Sequence, residues 1–252
     1  MIHIKRPHEV AAMRTSGKLL AEVIQAVREQ LTPGVSTAEL DALTEAEIVN
    51  RGARPAFKGY RVGRDVFPAS LCASRNEQVV HGIPDDQPLE EGDLISLDFG
   101  LEYNGYFADS AFSAYLGSPP ERVQELLDVT RDALYTAVSC ATSGARVGDI
   151  GHRIQATCEA AGFGVVRNFV GHGIGRNLHE EPAVPNFGKR GTGVPLKPGM
   201  CIAIEPMVTM GSWRTATLGD RWTVVTQDGS LAAHFEHTVL VTTGEPEILT
   251  AL

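Results

Sequence analysis

The sequence predicts an α+β fold made of two similar αβ halves, and three observations predict it. Helical and strand-like apolar patterns occur twice in the same order: helix, Gly turn, short helix and acid-tipped strand, at about 6–116 and again at about 120–240. Gly34-Val-Ser-Thr-Ala-Glu-Leu40 matches Gly144-Ala-Arg-Val-Gly-Asp-Ile150 at an offset of 110 residues. Gly92, six residues before Asp98, matches Gly199, six residues before Glu205, at an offset of 107. Offsets this close point to an internal duplication that sets two αβ halves across a pseudo-twofold axis. The alternative is chance agreement between two common Gly-x-apolar patterns.

Each element has a local cause. Pro7 suits the first turn of a helix, and Val10, Met13, Leu20, Val23 or Ile24, Val27 and Leu31 recur at helical spacing until Pro33-Gly34 stops it. A second helix opens with a capping box, Ser36-x-x-Glu39, carries Leu40, Leu43 and Ile48, and ends at Gly52. A Gly- and Arg-rich loop follows, then strand-like stretches at about 69–74 and 94–116. After Pro119-Pro120 the helical pattern returns with Val123, Leu126, Leu127, Leu134 and Val138, and a fourth helix spans about Val147 to Gly162. The remainder reads as strand and turn. The expectation is one catalytic domain over 1–252, with halves at about 1–117 and 118–252.

Composition narrows the function classes. With 43% hydrophobic and 21% charged residues, the chain is an ordinary globular protein rather than a disordered or membrane-spanning one. A net charge of −9 argues against a nucleic-acid footprint, which needs clustered Lys and Arg. No stretch approaches the roughly 18 apolar residues of a membrane helix, and the N-terminus has no signal-peptide core. A cytoplasmic location with no membrane contact is therefore expected. Cys72, Cys140, Cys158 and Cys201 lie far apart with no Cys-x-x-Cys spacing, which predicts free thiols.

Acids carry the strongest functional signal. Asp98 closes Asp93-Leu-Ile-Ser-Leu-Asp98, and Glu205 closes Met200-Cys-Ile-Ala-Ile-Glu205. A charge at the end of an apolar run is costly unless it is paired or binds a cation. Asn104-Gly105 is a strong signal for a two-residue type I′ hairpin turn. Pairing about that turn sets Tyr103 opposite Tyr106 and Gly100 opposite Asp109. Asp98 then shares a face with Gly100, so Asp98 and Asp109 are diagonal neighbours within roughly 5–8 Å at Cβ. Two like charges that close invite a metal.

Among eight histidines, His3, His8 and His152 carry no chemical signal. His172 and His179 lie in Gly171-His-Gly-Ile-Gly-Arg-Asn-Leu-His179-Glu-Glu-Pro182, where glycines flanking His172 allow close backbone approach to a ligand. Their seven-residue spacing suits one metal ligand and one separate catalytic group. His81 sits on a turn, Val80-His-Gly-Ile-Pro84, just before the first acidic strand.

With these residues in view, the whole chain resembles the methionine aminopeptidases of the short type I bacterial form. The resemblance rests on Ser74-Arg-Asn-Glu-Gln-Val-Val-His81-Gly-Ile-Pro, on Leu97-Asp98-Phe with Asp109-Ser110, and on Gly171-His172-Gly-Ile-Gly with His179-Glu-Glu-Pro. It also rests on Ile204-Glu205-Pro-Met207 and Phe235-Glu236-His-Thr238. It implies the pita-bread (creatinase/aminopeptidase) fold and a metal-dependent aminopeptidase. Such an enzyme removes the N-terminal methionine from nascent proteins whose second residue is small. By the same resemblance, Asp109 and Glu236 bridge two divalent metal ions, Asp98 completes one site, and His172 with Glu205 completes the other. Ligand chemistry alone admits Co, Mn, Fe or Zn. A hydroxide bridging the two metals is the implied nucleophile, Glu205 the implied proton acceptor, His179 the oxyanion donor and His81 the group on the scissile-nitrogen side. The substrate's free amine would bind a metal.

The family's methionine pocket, lined by aromatics and a cysteine, maps in pattern to Tyr60, Phe67, Cys72 and Trp222, with His81 and His179 also contacting substrate. Two positions depart: Phe57 stands where the family often has a cysteine, and Leu178 replaces a common aromatic. Nascent-chain N-termini are the implied partners, with ribosome contact through the catalytic domain itself, and a monomer is expected. Proline-directed relatives use the same five ligands but carry an extra N-terminal domain, and type II methionine enzymes carry a long insertion, so length disfavours both. A non-catalytic binding protein on the same fold would be expected to have lost ligands, and here none is lost.

Overall fold

Two helices open each half, and both pairs form for reasons visible in the chain. The computed structural model describes residues 2–251. The first half contains α1 (Pro7–Arg28), α2 (Thr37–Asn50), β1 (Arg54–Pro55), β2 (Arg61–Val62), β3 (Asp65–Val66), β4 (Leu71–Arg75), β5 (Gln78–Val80), β6 (Leu94–Tyr103) and β7 (Tyr106–Tyr115). The second contains α3 (Glu121–Ser139), α4 (Val147–Ala160), β8 (Gly164–Val165), β9 (Gly171–Gly173), β10 (Glu180–Val184), β11 (Cys201–Ile204) and β12 (Met207–Thr209). It continues with β13 (Thr215–Thr217), β14 (Val224–Thr226), β15 (Ala232–His234), β16 (His237–Leu240) and β17 (Glu247–Ile248).

Pro7 takes the first position of α1, whose buried face is Met13, Leu20, Val23 and Val27. The helix ends at Arg28, short of the predicted Leu31. There the Gln30 N–H donates to the Val27 carbonyl and the Leu31 N–H to Arg28, a tighter turn that peels Leu31 away while leaving it packed on the core. The capping box of α2 is complete: the Glu39 N–H donates to Ser36 Oγ at 3.2 Å, and the Ser36 N–H donates to the Glu39 carboxylate at 2.8 Å. In α4 the Arg146 N–H donates to Asp149 at 2.8 Å, supplying the acidic half of the same device.

The internal duplication is visible in backbone hydrogen bonds. Gly34 N–H donates to Leu89 O at 2.7 Å, and Gly144 N–H, 110 residues on, donates to Leu196 O at 3.0 Å. Gly92 N–H donates to Leu116 O, and Gly199 N–H, 107 residues on, to Val241 O. The paired glycines thus make corresponding backbone hydrogen bonds in the two halves, as a duplication would require.

In the β6–β7 hairpin Tyr103 pairs with Tyr106 and Gly100 with Asp109, the register expected from Asn104-Gly105. Asn104 and Gly105 both have positive φ, at 51° and 83°, as a type I′ turn requires. Strand β6 also pairs with β1 and β4, and the second half builds a five-stranded sheet in the order β10-β9-β11-β16-β17. Ile95, Leu97, Phe99 and Leu101 of β6 pack with Leu20, Val23, Val27 and Leu40 of α1 and α2. Ile202, Ile204, Val208 and Val239 pack with Leu126, Leu134, Ile150 and Ile154 of α3 and α4. Helix-facing residues alternate along β6, so Asp98 projects from the face opposite the helices.

Candidate metal centre and active site

The two halves meet where β7 runs beside residues 236–238. Ala111 N–H donates to Glu236 O at 3.3 Å, and Glu236 N–H donates back to Ala111 O at 3.0 Å. Thr238 clamps the other acid: Asp109 N–H donates to Thr238 Oγ1 at 3.0 Å, and that hydroxyl donates to Asp109 O at 2.8 Å. Ser110 Oγ donates to Glu236 O at 2.7 Å. Asp109 and Glu236 are thus held by backbone on both sides.

A buried imidazole lies across from them. His172 Nε2 is 3.6 Å from Asp109 Oδ2 and 3.6 Å from Glu205 Oε1. Its Nδ1 sits 2.9 Å from the Gly173 carbonyl, which can only accept a hydrogen bond. The proton therefore occupies Nδ1, and the Nε2 lone pair faces the acids. Ligand atoms of Asp109, His172 and Glu236 all fall within 4.8 Å of one another. Glu205 follows β11, and its carbonyl accepts a 2.9 Å hydrogen bond from Asn186 Nδ2.

This cluster lacks protein partners for its charge. Among the described residues, Asp98 Oδ1, Asp109 Oδ1 and Glu236 Oε1 are buried side-chain atoms without a hydrogen bond. Burial and mutual repulsion hold Asp98, Glu205 and Glu236 well above the usual carboxylate range, and burial pushes Asp109 up to about 7. Burial also pushes His172 down to about 4, toward the neutral form a metal ligand needs. Four inward-facing carboxylates, orphaned oxygens and a neutral imidazole with a preset lone pair fit divalent cations.

A cavity of about 190 Å³ adjoins the cluster, lined by Phe57, Tyr60, Phe67, Cys72, Leu178 and Trp222 together with His81 and His179. It is smaller than the roughly 300–1,000 Å³ typical of ligand pockets, and its volume includes the space over the four acids and His172. Phe67 is the hub, meeting Trp222 edge-on at 5.2 Å and Phe57 at 6.5 Å between centroids. Cys72 faces Asp98 across β4 and β6, and burial raises its thiol well above the ordinary range. It is therefore a neutral, polarizable wall. The four cysteines are free.

His179 and His81 stand over this cavity. Tyr60 Oη is 2.8 Å from His179 Nδ1, and the His179 ring lies 4.2 Å from that of His172. Desolvation lowers His179 to about 3 and His81 to about 4. His81 has a left-handed φ of 59° and packs edge-on against Phe169 at 5.6 Å. The four acids and one imidazole singled out as ligands, both further histidines and all four pocket residues line this one cavity.

The sequence reading left His234 unassigned. It is buried, its Nε2 has no hydrogen bond and lies 3.9 Å from Glu236 Oε2, and burial lowers it to about 3. The two-residue spacing of His234 and Glu236 was the available signal.

The sequence profile of metallopeptidase family M24 matches residues 11–243. The chain belongs to this family. It is 46% identical over 252 residues to a methionine aminopeptidase of Clostridium perfringens, covering 100% of both chains. It is 45% identical over 250 residues to methionine aminopeptidase 1 of Bacillus subtilis, covering 99% of each. A solved methionine aminopeptidase from Thermotoga maritima superposes with a TM-score of 0.96 at 45% identity, over 100% of both chains. A prolidase from Pyrococcus furiosus shares the fold alone, with a TM-score of 0.80 and 24% identity, over 99% of this chain and 65% of that one. This M24 chain is a metallopeptidase with the pita-bread fold, an α+β arrangement, and the expected resemblance holds over its full length.

One prediction arises from the buried charges. Imidazoles lowered on folding, those of His81, His172, His179, His234 and His237, refuse protons that the unfolded chain accepts below about 6.5. They favour folding as pH rises to that value. Acids raised on folding do the reverse, because the unfolded chain ionises near its ordinary value while the folded one keeps its protons. Above about 6.5 only the acid contribution remains. The metal-free protein is therefore expected to lose thermal stability from pH 6.5 to 8, and added Mn²⁺ is expected to abolish that loss. Scanning calorimetry with chelator and with metal measures both, and a metal-free Tm that rises over this range contradicts the argument.

Proposed function

We propose that this M24 metallopeptidase removes the N-terminal methionine from newly made polypeptides whose second residue is small, using a dinuclear centre of two divalent ions. The observation that carries the reading is the single cavity lined both by carboxylates and His172 and by the soft, aromatic side chains Phe57, Phe67, Cys72 and Trp222. Relatives named methionine aminopeptidase at 41–47% identity support it. We read residues 1–252 as one catalytic domain with halves at about 1–117 and 118–252.

Asp109 and Glu236 would bridge the ions, Asp98 would complete one site, and His172 with Glu205 the other. When bound, the metals supply Lewis acidity, which acidifies the attacking water, polarises the scissile carbonyl and anchors the substrate's free amine. An internal peptide bond offers no such amine, which restricts cleavage to the first residue. The substrate's methionine would enter between Phe67, Trp222 and Cys72, whose polarizable surfaces suit a thioether. Its carbonyl oxygen would then face His179. Tyr60 Oη, 2.8 Å from Nδ1, would donate to it, so that the His179 proton would reside on Nε2 as a donor to the developing oxyanion. Neutral His81 would meet the scissile nitrogen from the other side. Glu205 would take the proton of the attacking water and deliver it to the leaving amine.

The proposed setting is the cytoplasm, where a monomer acts on nascent N-termini near the ribosome. The net charge of −9 and the absence, among the described residues, of a helix long and apolar enough to cross a membrane are compatible with that setting. Metal-dependent release of methionine from Met-Ala-Ser, compared with turnover of an X-Pro peptide, tests the activity. Methionine release without X-Pro cleavage is expected. Cleavage of X-Pro with no methionine release overturns the reading in favour of a proline-directed peptidase.

A further inference from the structure

His179 ends a loop that runs from β9 to β10, and the opposite end of the chain holds that loop in place. Glu180 closes the loop on itself: the Arg176 and Asn177 N–H groups donate to Glu180 Oε1 at 2.8 and 3.2 Å. Its other oxygen accepts from Lys5 Nζ at 2.8 Å, and the Lys5 side chain is 1% exposed. Lys5 lies against the loop so closely that a Cβ on Gly175 would sit 2.5 Å from Lys5 Cε. The Lys5 N–H in turn donates to Gly199 O at 2.8 Å.

A second tie lies beside the first. Arg176 donates from Nε and Nη2 to Glu9 Oε1 at 3.2 and 3.1 Å, and from Nη2 to Tyr106 Oη at 2.8 Å. Tyr106 Oη donates to the same Glu9 oxygen at 3.1 Å. Glu9 Oε2 accepts the Arg6 N–H at 2.9 Å at the start of α1, and His3 Nε2 lies 3.2 Å from it. Glu9 is 3% exposed. Buried Glu9 and buried Lys5 are costly charges unless paired, so removing Arg176 or Glu180 leaves the buried group short of its counter-charge, while the Arg176 side chain is itself 59% exposed. These pairs cross 167 and 175 residues of sequence and meet at the residues on either side of Asn177-Leu178-His179.

We infer that Glu9 and Lys5 are positioning residues for His179: the ties Glu9–Arg176 and Lys5–Glu180 fix the loop that carries it over the reacting carbonyl. The inference rests on the proposed role of His179 as oxyanion donor. A displacement of about 1 Å in a group that contacts the transition state can cost 10²-fold in rate. Loosening the loop therefore lowers kcat through His179 and leaves Asp109 and Glu236, which are held from β7 and residues 236–238, in place.

The test is a double-mutant cycle on the metal-loaded protein, because two changes that act through one group are not additive. Glu9→Gln and Arg176→Met, one at each end of the same tie, are measured with and without His179→Ala on Met-Ala-Ser, with metal stoichiometry read by calorimetry. Each single variant is expected to lower kcat about tenfold or more with unchanged metal stoichiometry, and to change it less than about twofold when His179 is already Ala. Equal losses in both backgrounds, or wild-type kcat in both single variants, overturn the positioning role alone. A wild-type protein inert towards Met-Ala-Ser overturns the functional reading and this inference with it.

Discussion

Replacing Asp109 or Glu236 with alanine is expected to yield a folded chain that neither holds two metal ions nor releases methionine. Both acids stand on paired backbone where the halves join, and each has a buried oxygen without a protein partner. In the proposed centre each would serve as a ligand to both ions, so one substitution would remove a ligand from two sites at once. Unfolding is not the expected cause of the loss. Without metal these acids are a burden, since burial holds both above the ordinary carboxylate range. Deleting one relieves repulsion within a buried cluster, and the metal-free variant is expected to melt no lower than metal-free wild type at pH 8. Calorimetric titration checks the claim directly. Two equivalents bound by either variant would contradict the bridging assignment.

Replacing His179 with alanine is expected to separate chemistry from metal binding. His179 lies beside His172, at 4.2 Å between ring centroids, yet its Nδ1 is taken by the Tyr60 hydroxyl. Burial and the neighbouring imidazole lower the ring to about 3 and keep it neutral, and in the proposed tautomer, with the Tyr60 hydroxyl donating to Nδ1, the proton lies on Nε2. Loss of a preorganised oxyanion donor costs about 10²–10³ in kcat. The variant should therefore bind two metals with little change and turn over Met-Ala-Ser at least about 10²-fold more slowly. Loss of metal in this variant would make His179 a ligand instead.

Local signals in the sequence carried much of the site because the site is built on regular structure. Asn104-Gly105 set the hairpin register, and strand alternation then placed Asp98 and Asp109 on one face. The 110- and 107-residue offsets located Glu205 as the counterpart of Asp98 because each half repeats the same Gly-to-acid step. Long-range electrostatics had no local signature. Nothing near Glu9 announces Arg176, and nothing near Lys5 announces Glu180, since each pair forms only when the first helix docks against the second half. His234 escaped for a related reason, as β15 is only three residues long and offers too little alternation to reveal an inward face. Phe57 was legible as a departure from the family pattern. In the structure it packs edge-on against Phe67 in the wall of the cavity.

The central claim is a two-metal site shared by both halves and assembled from Asp98, Asp109, His172, Glu205 and Glu236. Anaerobic titration of the metal-free protein with Mn²⁺, following bound metal and methionine release together, tests it most directly. Binding that saturates at two equivalents per chain, with activity appearing as the sites fill, is the predicted result. Saturation at one equivalent, or full activity with no metal bound, would contradict it.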